Sequence, residues 1–240
     1  MAASFWASRW WTGSARRADS IPIFCSSALQ GIAISSFEKP AHQRPELPDF
    51  WDHRFRQGVT PWDAGGVPEA LQSFVHRQST KVVSPDEHRV LIPGCGSAHE
   101  AAYLDRHGWP VVALDFSADA LDVARRNLGD WGGTLVHEDF FNHNPESPYA
   151  LIYERAFLCA LPRKLWPGYG ERMARLLAPG GILAGYFYFG DGLKGPPFPI
   201  SQLQLNALLE PFFDLVEDEP VSDSLPVFAG QERWQVWRCR

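Results

Sequence analysis

Residues 90–100, with the sequence VLIPGCGSAHE, constrain the fold more than any other part of the chain. The segment starts with branched apolar residues, which predict a strand buried on both faces. Gly94 and Gly96 then permit a sharp turn and a close approach of the backbone to a ligand. Ser97 is expected to cap a following helix, so that backbone N–H groups face the turn. The segment therefore predicts a site for a nucleotide-like ligand at the end of a buried strand.

The residues that follow the glycine turn narrow the choice of ligand. A dinucleotide-binding loop needs a third glycine where this chain has His99, so a dinucleotide is disfavoured. About twenty residues after the turn, a second apolar run ends at Asp115, where a carboxylate can accept hydrogen bonds from ribose hydroxyls. A nucleoside without a pyrophosphate, such as S-adenosylmethionine, fits both features. The alternative is an ordinary strand–turn–helix unit with an incidental aspartate.

Composition limits the class of protein and of partner. The chain has 240 residues, enough for one domain with a full core, and no apolar run long enough to span a membrane. Its net charge of −6 argues against a nucleic-acid substrate. The four cysteines are scattered, so neither a metal site nor a disulfide framework is predicted and a reducing compartment is favoured. We expect a cytoplasmic monomer that acts on a small molecule, with no nucleic-acid or membrane partner.

Residues 1–44 differ in composition from the rest of the chain. They are rich in Ser, Ala, Trp and Arg, and they contain no acidic residue before Asp19. We expect an N-terminal extension that is disordered or not part of the mature fold, and a folded domain over residues 45–240. The alternative is a weak organelle transit peptide, because three arginines lie in an acid-poor, Ser-rich setting.

An aromatic segment, residues 50–63, opens the predicted domain. Asp49 is expected to cap a short helix that carries Trp51 and Phe55 on one face. Trp62 follows in a loop rich in glycine and proline, where a large aromatic side chain is expected to cover something. Two interpretations stay open: simple core packing, or a hydrophobic lid over a ligand.

The remainder of the chain alternates strand-like and helix-like runs. The predicted strands lie at about residues 90–92, 111–115, 134–139, 148–154, 182–189, 215–217 and 233–238. Ser117 and Ser201 are expected to open two of the helices. The alternation predicts a doubly wound α/β fold, with a mostly parallel seven-stranded sheet and helices on both of its faces.

Ligands of such sheets bind beyond the carboxyl ends of the strands. Four predicted strand ends carry glycine or charged residues at that edge: Gly94, Asp115, Asp139 and the pair Glu154–Arg155. Asp139 is followed by Phe140, and together they offer an acceptor for the exocyclic amine of an adenine and a ring face for its base. The alternative for Asp139 is that it caps the next turn.

Several motifs together resemble those of the thiopurine S-methyltransferase family, especially its plant thiol and halide methyltransferase branch. They are FWDHRFRQGVTPWD at 50–63, IPGCG at 92–96, ALD at 113–115, EDFF at 138–141, YERAFLCA at 153–160 and GPPF at 195–198. The glycine turn is shared by most class I methyltransferases, whereas the aromatic segment and the GPPF loop are much more specific. The resemblance covers about residues 45–240 and implies a Rossmann-like class I methyltransferase domain.

The same resemblance implies roles for individual residues. The implied S-adenosylmethionine-binding residues are Trp51, Phe55, Trp62, Gly94, Gly96, Asp115, Asp139, Phe140 and Glu154. Among them, the aromatic residues close over the cofactor, Asp115 holds the ribose, and Asp139 with Phe140 takes the adenine. Glu154 stands where the thiopurine enzymes have an aspartate. The implied acceptor pocket consists of Trp62, Arg155, Pro197 and Phe198.

The implied reaction is methyl transfer to a small soft nucleophile, namely a thiol such as a thiopurine, bisulfide or a halide. Because a sulfonium methyl is already activated, positioning and desolvation would supply the rate, and a thiol would react as its thiolate. Arg155 is expected to position the acceptor or, alternatively, to pair with Glu154 or Asp139. Competing hypotheses are an O- or N-methyltransferase, a non-catalytic S-adenosylmethionine-binding protein, and an oxidoreductase, which His99 disfavours.

Overall fold

The computed structural model describes residues 39–78 and 88–240. Residues 1–38 lie outside these ranges, so the expectation for that part of the N-terminal extension stays a prediction. Residues 39–44, which were predicted to belong to the extension, are described and include a 3-10 helix at Ala41–Gln43. Within the described residues, no helix combines the length and the apolar character that a membrane span requires.

Seven strands form one sheet at the centre of the described domain. They are β1 (Val90–Pro93), β2 (Val111–Asp115), β3 (Thr134–His137), β4 (Tyr149–Arg155), β5 (Leu177–Tyr188), β6 (Phe213–Pro220) and β7 (Glu232–Cys239). Their order is β3-β2-β1-β4-β5-β7-β6; β1 to β5 run parallel, and β7 is antiparallel to both of its neighbours. The predicted fold class is therefore confirmed.

The described residues form six α-helices, of which α1 packs against α4 and the other five pack on the two faces of the sheet. They are α1 (Pro48–Arg56), α2 (Glu69–Gln78), α3 (His99–Arg106), α4 (Ala118–Leu128), α5 (Tyr169–Leu176) and α6 (Gln202–Leu209). Helices α2, α3 and α4 contribute to one apolar cluster, and α5 and α6 to the other. Because successive side chains of a strand point to opposite faces, Val90 and Ile92 of β1 join the first cluster and Leu91 joins the second.

Of the four predicted helix caps, those at Ser117 and Ser201 are confirmed, and those at Ser97 and Asp49 are wrong. The hydroxyl of Ser117 accepts a hydrogen bond from Ala120 N, and Ser201 forms a capping box with Gln204. Ser97 does not cap α3, because it precedes the N-cap position, and its hydroxyl donates to Asp63, far away in the sequence. That helix starts after Ala98, which has a φ of +59° and no side-chain cap.

The first helix and two of the strands also differ from the prediction at their ends. Helix α1 begins at Pro48, so that Asp49 lies in its first turn instead of capping it. Strand β3 ends at His137, because Asp139 Oδ1 accepts a hydrogen bond from Phe141 N and turns the chain. Strand β5 begins five residues earlier than predicted, at Leu177.

Candidate active site

The glycine turn after β1 is held directly against the end of β2. Gly94 and Gly96 have φ angles of +59° and +51°, in the left-handed region that favours glycine. Cys95 N donates to Leu114 O at 3.0 Å, and Gly96 N donates to Asp115 Oδ2 at 3.0 Å. The two strand ends therefore form one unit, as the sequence predicts.

Asp115 is the acidic centre of this unit. Its second oxygen, Oδ1, accepts a hydrogen bond from Ser117 N at 2.9 Å. Burial raises the pKa of the Asp115 carboxyl to about 6, against the opposing effect of the backbone hydrogen bonds from Ser117 and Gly96. Each carboxylate oxygen can accept more than one hydrogen bond. Above about pH 6 the group is thus an anion with acceptor capacity left for a ligand.

The aromatic segment lies over the glycine turn. Trp62 packs edge-on against Trp51, with ring centroids 5.5 Å apart, and against Phe55 at 6.1 Å. A Cβ atom added to Gly96 would lie 3.5 Å from the end of the Phe55 ring. Trp51 is anchored by a 2.8 Å hydrogen bond from its indole nitrogen to Pro45 O. These three rings line a cavity, which agrees with the lid interpretation, whereas the ring of the neighbouring Phe50 is buried.

Asp63 ties the end of the aromatic segment to the turn before α3. Its carboxylate accepts hydrogen bonds from Ser97 Oγ and from Gly65 N, the latter at 2.8 Å, and lies 3.3 Å from His99 Nε2. The sequence analysis missed this role, although Asp63 is adjacent to Trp62. His99, which was considered only as a substitute for glycine, takes part in the same contact.

The turn after β3 carries the predicted adenine contacts. Phe140 is buried and packs edge-on against Phe157, with ring centroids 5.0 Å apart. Arg172 holds the turn through a 3.1 Å hydrogen bond from Nε to Phe140 O. Asp139 caps the turn with one oxygen and still lines the cavity. The turn-capping alternative is therefore correct for Asp139, and the predicted adenine contact stays a prediction.

Arg155, at the end of β4, brings a positive charge to the cavity. Its guanidinium carbon lies 4.8 Å from the centroid of the Tyr186 ring, and its Nε is buried without a hydrogen-bond partner. Among the described residues it makes no ion pair with Glu154 or Asp139, so the structural alternative proposed for it is not observed. Its charge interacts with the carboxylates of Glu100 and Glu232 without an ion-pair contact.

Two of the predicted site residues do not line the cavity. Glu154 is 1% exposed, and its carboxylate turns back to accept hydrogen bonds from Phe157 N at 3.0 Å and Leu158 N at 3.4 Å. Burial raises the pKa of this carboxyl to about 8. Phe198 packs against the core cluster that includes Leu158, and its backbone nitrogen donates to Cys159 O at 2.7 Å. Both side chains thus lie outside the cavity lining, and the predicted contacts of Glu154 with the cofactor and of Phe198 with the acceptor stay predictions.

The other predicted residues meet around one cavity of about 280 Å³. Those that line it are Trp51, Phe55, Trp62, Gly94, Gly96, Asp115, Asp139, Phe140, Arg155 and Pro197. The sequence analysis missed several other lining residues, notably Glu100, Glu138, Val227 and Phe228. Glu100 lies in the first turn of the helix that follows the glycine turn, so its spacing from Gly96 could have predicted its place at the cavity. Val227 and Phe228 come from the loop between β6 and β7, for which the sequence offered none.

Comparison with known proteins identifies the family. A family model described as thiopurine S-methyltransferase matches residues 47–240. The chain belongs to the thiopurine S-methyltransferase family. It is 28% identical over 194 residues to thiocyanate methyltransferase 1 of Arabidopsis thaliana, covering 78% of this chain and 83% of that protein. It is 28% identical over 186 residues to thiopurine S-methyltransferase of Methylococcus capsulatus, covering 69% and 82%.

Solved structures agree on the fold. The 1,6-didemethyltoxoflavin-N1-methyltransferase of Burkholderia thailandensis, solved with S-adenosylhomocysteine, superposes with a TM-score of 0.65 at 18% identity. The superposition covers 84% of this chain and 91% of that one. As a member of the thiopurine S-methyltransferase family, this chain is an S-adenosylmethionine-dependent methyltransferase.

The observed site fits S-adenosylmethionine. The backbone at Gly94 approaches so closely to Phe157 that no side chain fits there, and Asp115 keeps acceptor capacity for ribose hydroxyls. The bound cofactor supplies a methyl group that its sulfonium has already activated. The protein's own residues would bind and orient the cofactor and the acceptor. The rings of the aromatic segment exclude water on one side of the cavity, the ends of the strands supply hydrogen-bonding groups on the other, and Arg155 adds a positive charge.

Substituting Gly94 by alanine is expected to disrupt this site. The added Cβ would lie 2.6 Å from Phe157 Cδ2, and the Phe157 ring is confined because it packs against Phe140. We expect ~2–4 kcal/mol of destabilisation from backbone strain and overpacking together, and at least tenfold weaker binding of S-adenosylmethionine by calorimetry.

Gly108→Ala is the matched control for this substitution. Gly108 has a φ of +80° and nothing within 4 Å of an added Cβ, so it incurs only the backbone strain. We expect ~1–2 kcal/mol of destabilisation from it, with unchanged affinity for the cofactor. Equal losses of stability and of affinity in the two variants would contradict the close packing at Gly94.

Proposed function

We propose that this enzyme transfers the methyl group of S-adenosylmethionine to a small thiol or to a related soft anion, such as bisulfide, thiocyanate or a halide. The observation that carries the proposal is the guanidinium of Arg155. It lines the cavity with its Nε buried and unpartnered, and among the residues described no carboxylate is in ion-pair contact with it, although the carboxylates of Glu100 and Glu232 lie close enough to interact with its charge.

A cation in such surroundings favours an acceptor that arrives as an anion. Charge–charge attraction is strongest where water is excluded, and the aromatic segment covers this cavity. A thiolate or halide is already the nucleophilic form and needs no general base. A neutral alcohol or amine would require a proton acceptor beside the methyl group.

The size of the cavity supports a small acceptor. Its volume of about 280 Å³ lies just below the range for small-molecule sites, roughly 300–1,000 Å³, and the same cavity has to hold the cofactor, which leaves room only for a small acceptor. Relatives named for thiocyanate, thiols and thiopurines support sulfur acceptors of this size. The same volume argues against a macromolecular acceptor.

A panel of acceptors tests the proposal. Purified enzyme with S-adenosylmethionine would be offered bisulfide, thiocyanate, iodide, an aromatic thiol and a thiopurine, together with a phenol and an amine of similar size. We expect methylated sulfur products or methyl iodide, and little transfer to the phenol or the amine. Faster transfer to oxygen or nitrogen would overturn the proposed acceptor class, and no transfer at all by cofactor-bound enzyme would overturn the proposed reaction.

The variant Arg155→Met belongs in the same experiment. We expect kcat/KM for anionic acceptors to fall ~10–100-fold, the size of a lost charged contact, with the dissociation constant for the cofactor within about twofold of the wild-type value. Arg126→Met, on an exposed position of α4, is the control and should behave as the wild type. Equal activity of the two variants would contradict the role assigned to Arg155.

We also infer a cytoplasmic monomer whose catalytic domain spans residues 45–240. The family match beginning at residue 47 supports this boundary, and the three described cysteines, all free and buried, support a reducing compartment. Residues of one chain line the cavity, which supports a monomer. Organelle targeting by the N-terminal extension is the alternative location.

A further inference from the structure

We propose that Asp52 is a positioning residue, which docks the aromatic helix α1 onto the ribose side of the cofactor site. Asp52 is not part of the cavity lining, whereas its neighbours Trp51 and Phe55 on the same helix are. The proposal concerns binding of the cofactor and holds for any methyl acceptor.

Asp52 caps helix α4 from outside that helix. Its Oδ1 atom accepts a hydrogen bond from Ser117 Oγ at 2.6 Å and another from Asp119 N at 3.2 Å. The side chain of Ser117 meanwhile accepts from Ala120 N at 3.1 Å, so the first turn of α4 is capped both by its own residue and by α1. Arg56, one turn after Asp52, adds an ion pair to Asp119 at 3.0 Å.

The same contacts continue to the ribose carboxylate. Ser117 donates from its backbone nitrogen to Asp115 Oδ1 at 2.9 Å and from its hydroxyl to Asp52. A single residue thus connects the carboxylate that faces the cofactor with the carboxylate that anchors α1. A shift of α1 would move Trp51 and Phe55 and disturb Ser117 together.

This arrangement links the docking of α1 to cofactor binding. A ligand that contacts both the aromatic rings and Asp115 favours the docked helix, and by linkage the docked helix favours the ligand by the same free energy. Asp52 acts on the cofactor through Ser117, through the position of α1 and through the effect of its charge on Asp115. It therefore sets affinity without touching the ligand.

Calorimetric titration with S-adenosylhomocysteine, which binds without reacting, tests the proposal. Asp52→Ala removes both hydrogen bonds, and we expect the dissociation constant to rise ~10-fold, comparable to the loss of a helix N-cap. Asp52→Asn keeps an acceptor oxygen, and we expect a rise of only ~2–3-fold. Asp49→Ala, an exposed position on the same helix, is the matched control and should bind as the wild type.

The pH dependence of binding separates positioning from a general loss of stability. The titratable groups that interact electrostatically with the Asp115 carboxyl are Asp52 on α1 and Cys95 in the glycine turn. His137 pairs with Asp115 in the sheet, and Glu138 contacts it through its backbone nitrogen. The negative charge of Asp52 contributes to the raised pKa of Asp115. In Asp52→Asn, the loss of affinity on acidification should therefore begin at a lower pH than in the wild type.

Hydrogen exchange of residues 48–66 provides the second measurement. We expect S-adenosylhomocysteine to slow exchange there in the wild type and in Asp49→Ala, and to slow it much less in Asp52→Ala. Wild-type affinity and protection in Asp52→Ala would overturn the proposal. If that variant is too unstable to titrate, Asp52→Asn decides, and wild-type affinity together with wild-type protection of residues 48–66 in that variant overturns the proposal.

Discussion

Replacing Asp115 by asparagine is expected to raise the dissociation constant for S-adenosylmethionine about 100-fold or more, the cost of losing charge-assisted hydrogen bonds in a buried site. Both carboxylate oxygens already accept backbone hydrogen bonds, from Gly96 and from Ser117. Asparagine has only one acceptor oxygen, so its amide nitrogen would oppose one of these N–H groups and displace the turn. Isothermal titration calorimetry at pH 7.5 measures the effect.

The pH dependence of the wild type tests the same carboxylate. Since burial raises the pKa of Asp115 to about 6, the acceptor form is lost as the pH falls through that value, and affinity should fall with it. Asp122→Asn, on the exposed side of α4, is the control and should leave the affinity and its pH profile unchanged. Tight binding by Asp115→Asn at every pH would refute the ribose role.

Replacing Glu154 by glutamine is expected to stabilise the folded protein by roughly 3–5 kcal/mol at pH 9. Burial raises the pKa of the Glu154 carboxyl from its ordinary value of 4.5 to about 8. The folded state therefore retains a proton that the unfolded state releases. The resulting stability is complete below about pH 4.5 and is lost as the pH rises through 8. Glutamine keeps an acceptor for Phe157 N and cannot ionise.

Denaturant unfolding at several pH values measures this effect. The advantage of Glu154→Gln should be largest above pH 8 and should shrink steadily towards pH 4.5. Glu171→Gln, on the exposed part of α5, should unfold as the wild type does throughout. If the free energies of unfolding of Glu154→Gln and of the wild type change in parallel with pH, the raised pKa of Glu154 is contradicted, and its carboxyl is ionised in the folded protein as it is in the unfolded one.

Short contiguous patterns carried most of what the sequence could predict. The turn at Gly94 and the end of β2 are each built by a few consecutive residues, an apolar run followed by glycines or by a carboxylate. Local sterics decide the conformation of such short segments. Parallel connectivity then brings the strand ends to one edge of the sheet. The caps at Ser117 and Ser201 were predictable for the same local reason.

Two side chains lie where the sequence did not predict them, because each has another hydrogen-bond partner, distant in the sequence for Ser97 and close for Glu154. Ser97 has the spacing of a helix cap, yet its hydroxyl donates to Asp63, 34 residues away. Glu154 stands at a strand end, but two backbone N–H groups of the following turn draw its carboxylate away from the cavity. A short polar side chain chooses among competing partners, and only the packed structure decides which partner is within reach.

By itself, then, the sequence determined the class of fold and the turn that joins the ends of β1 and β2. Hydrophobic periodicity, turn residues and strand-end residues are all local properties of a sequence. It also indicated that the aromatic segment covers something. Only the tertiary structure decided how that segment is attached, through Asp52 to α4 and through Asp63 to the glycine turn, and that Val227 and Phe228 complete the wall. Those contacts join residues tens of positions apart, and no local pattern encodes a pairing that exists only when separate elements pack against one sheet.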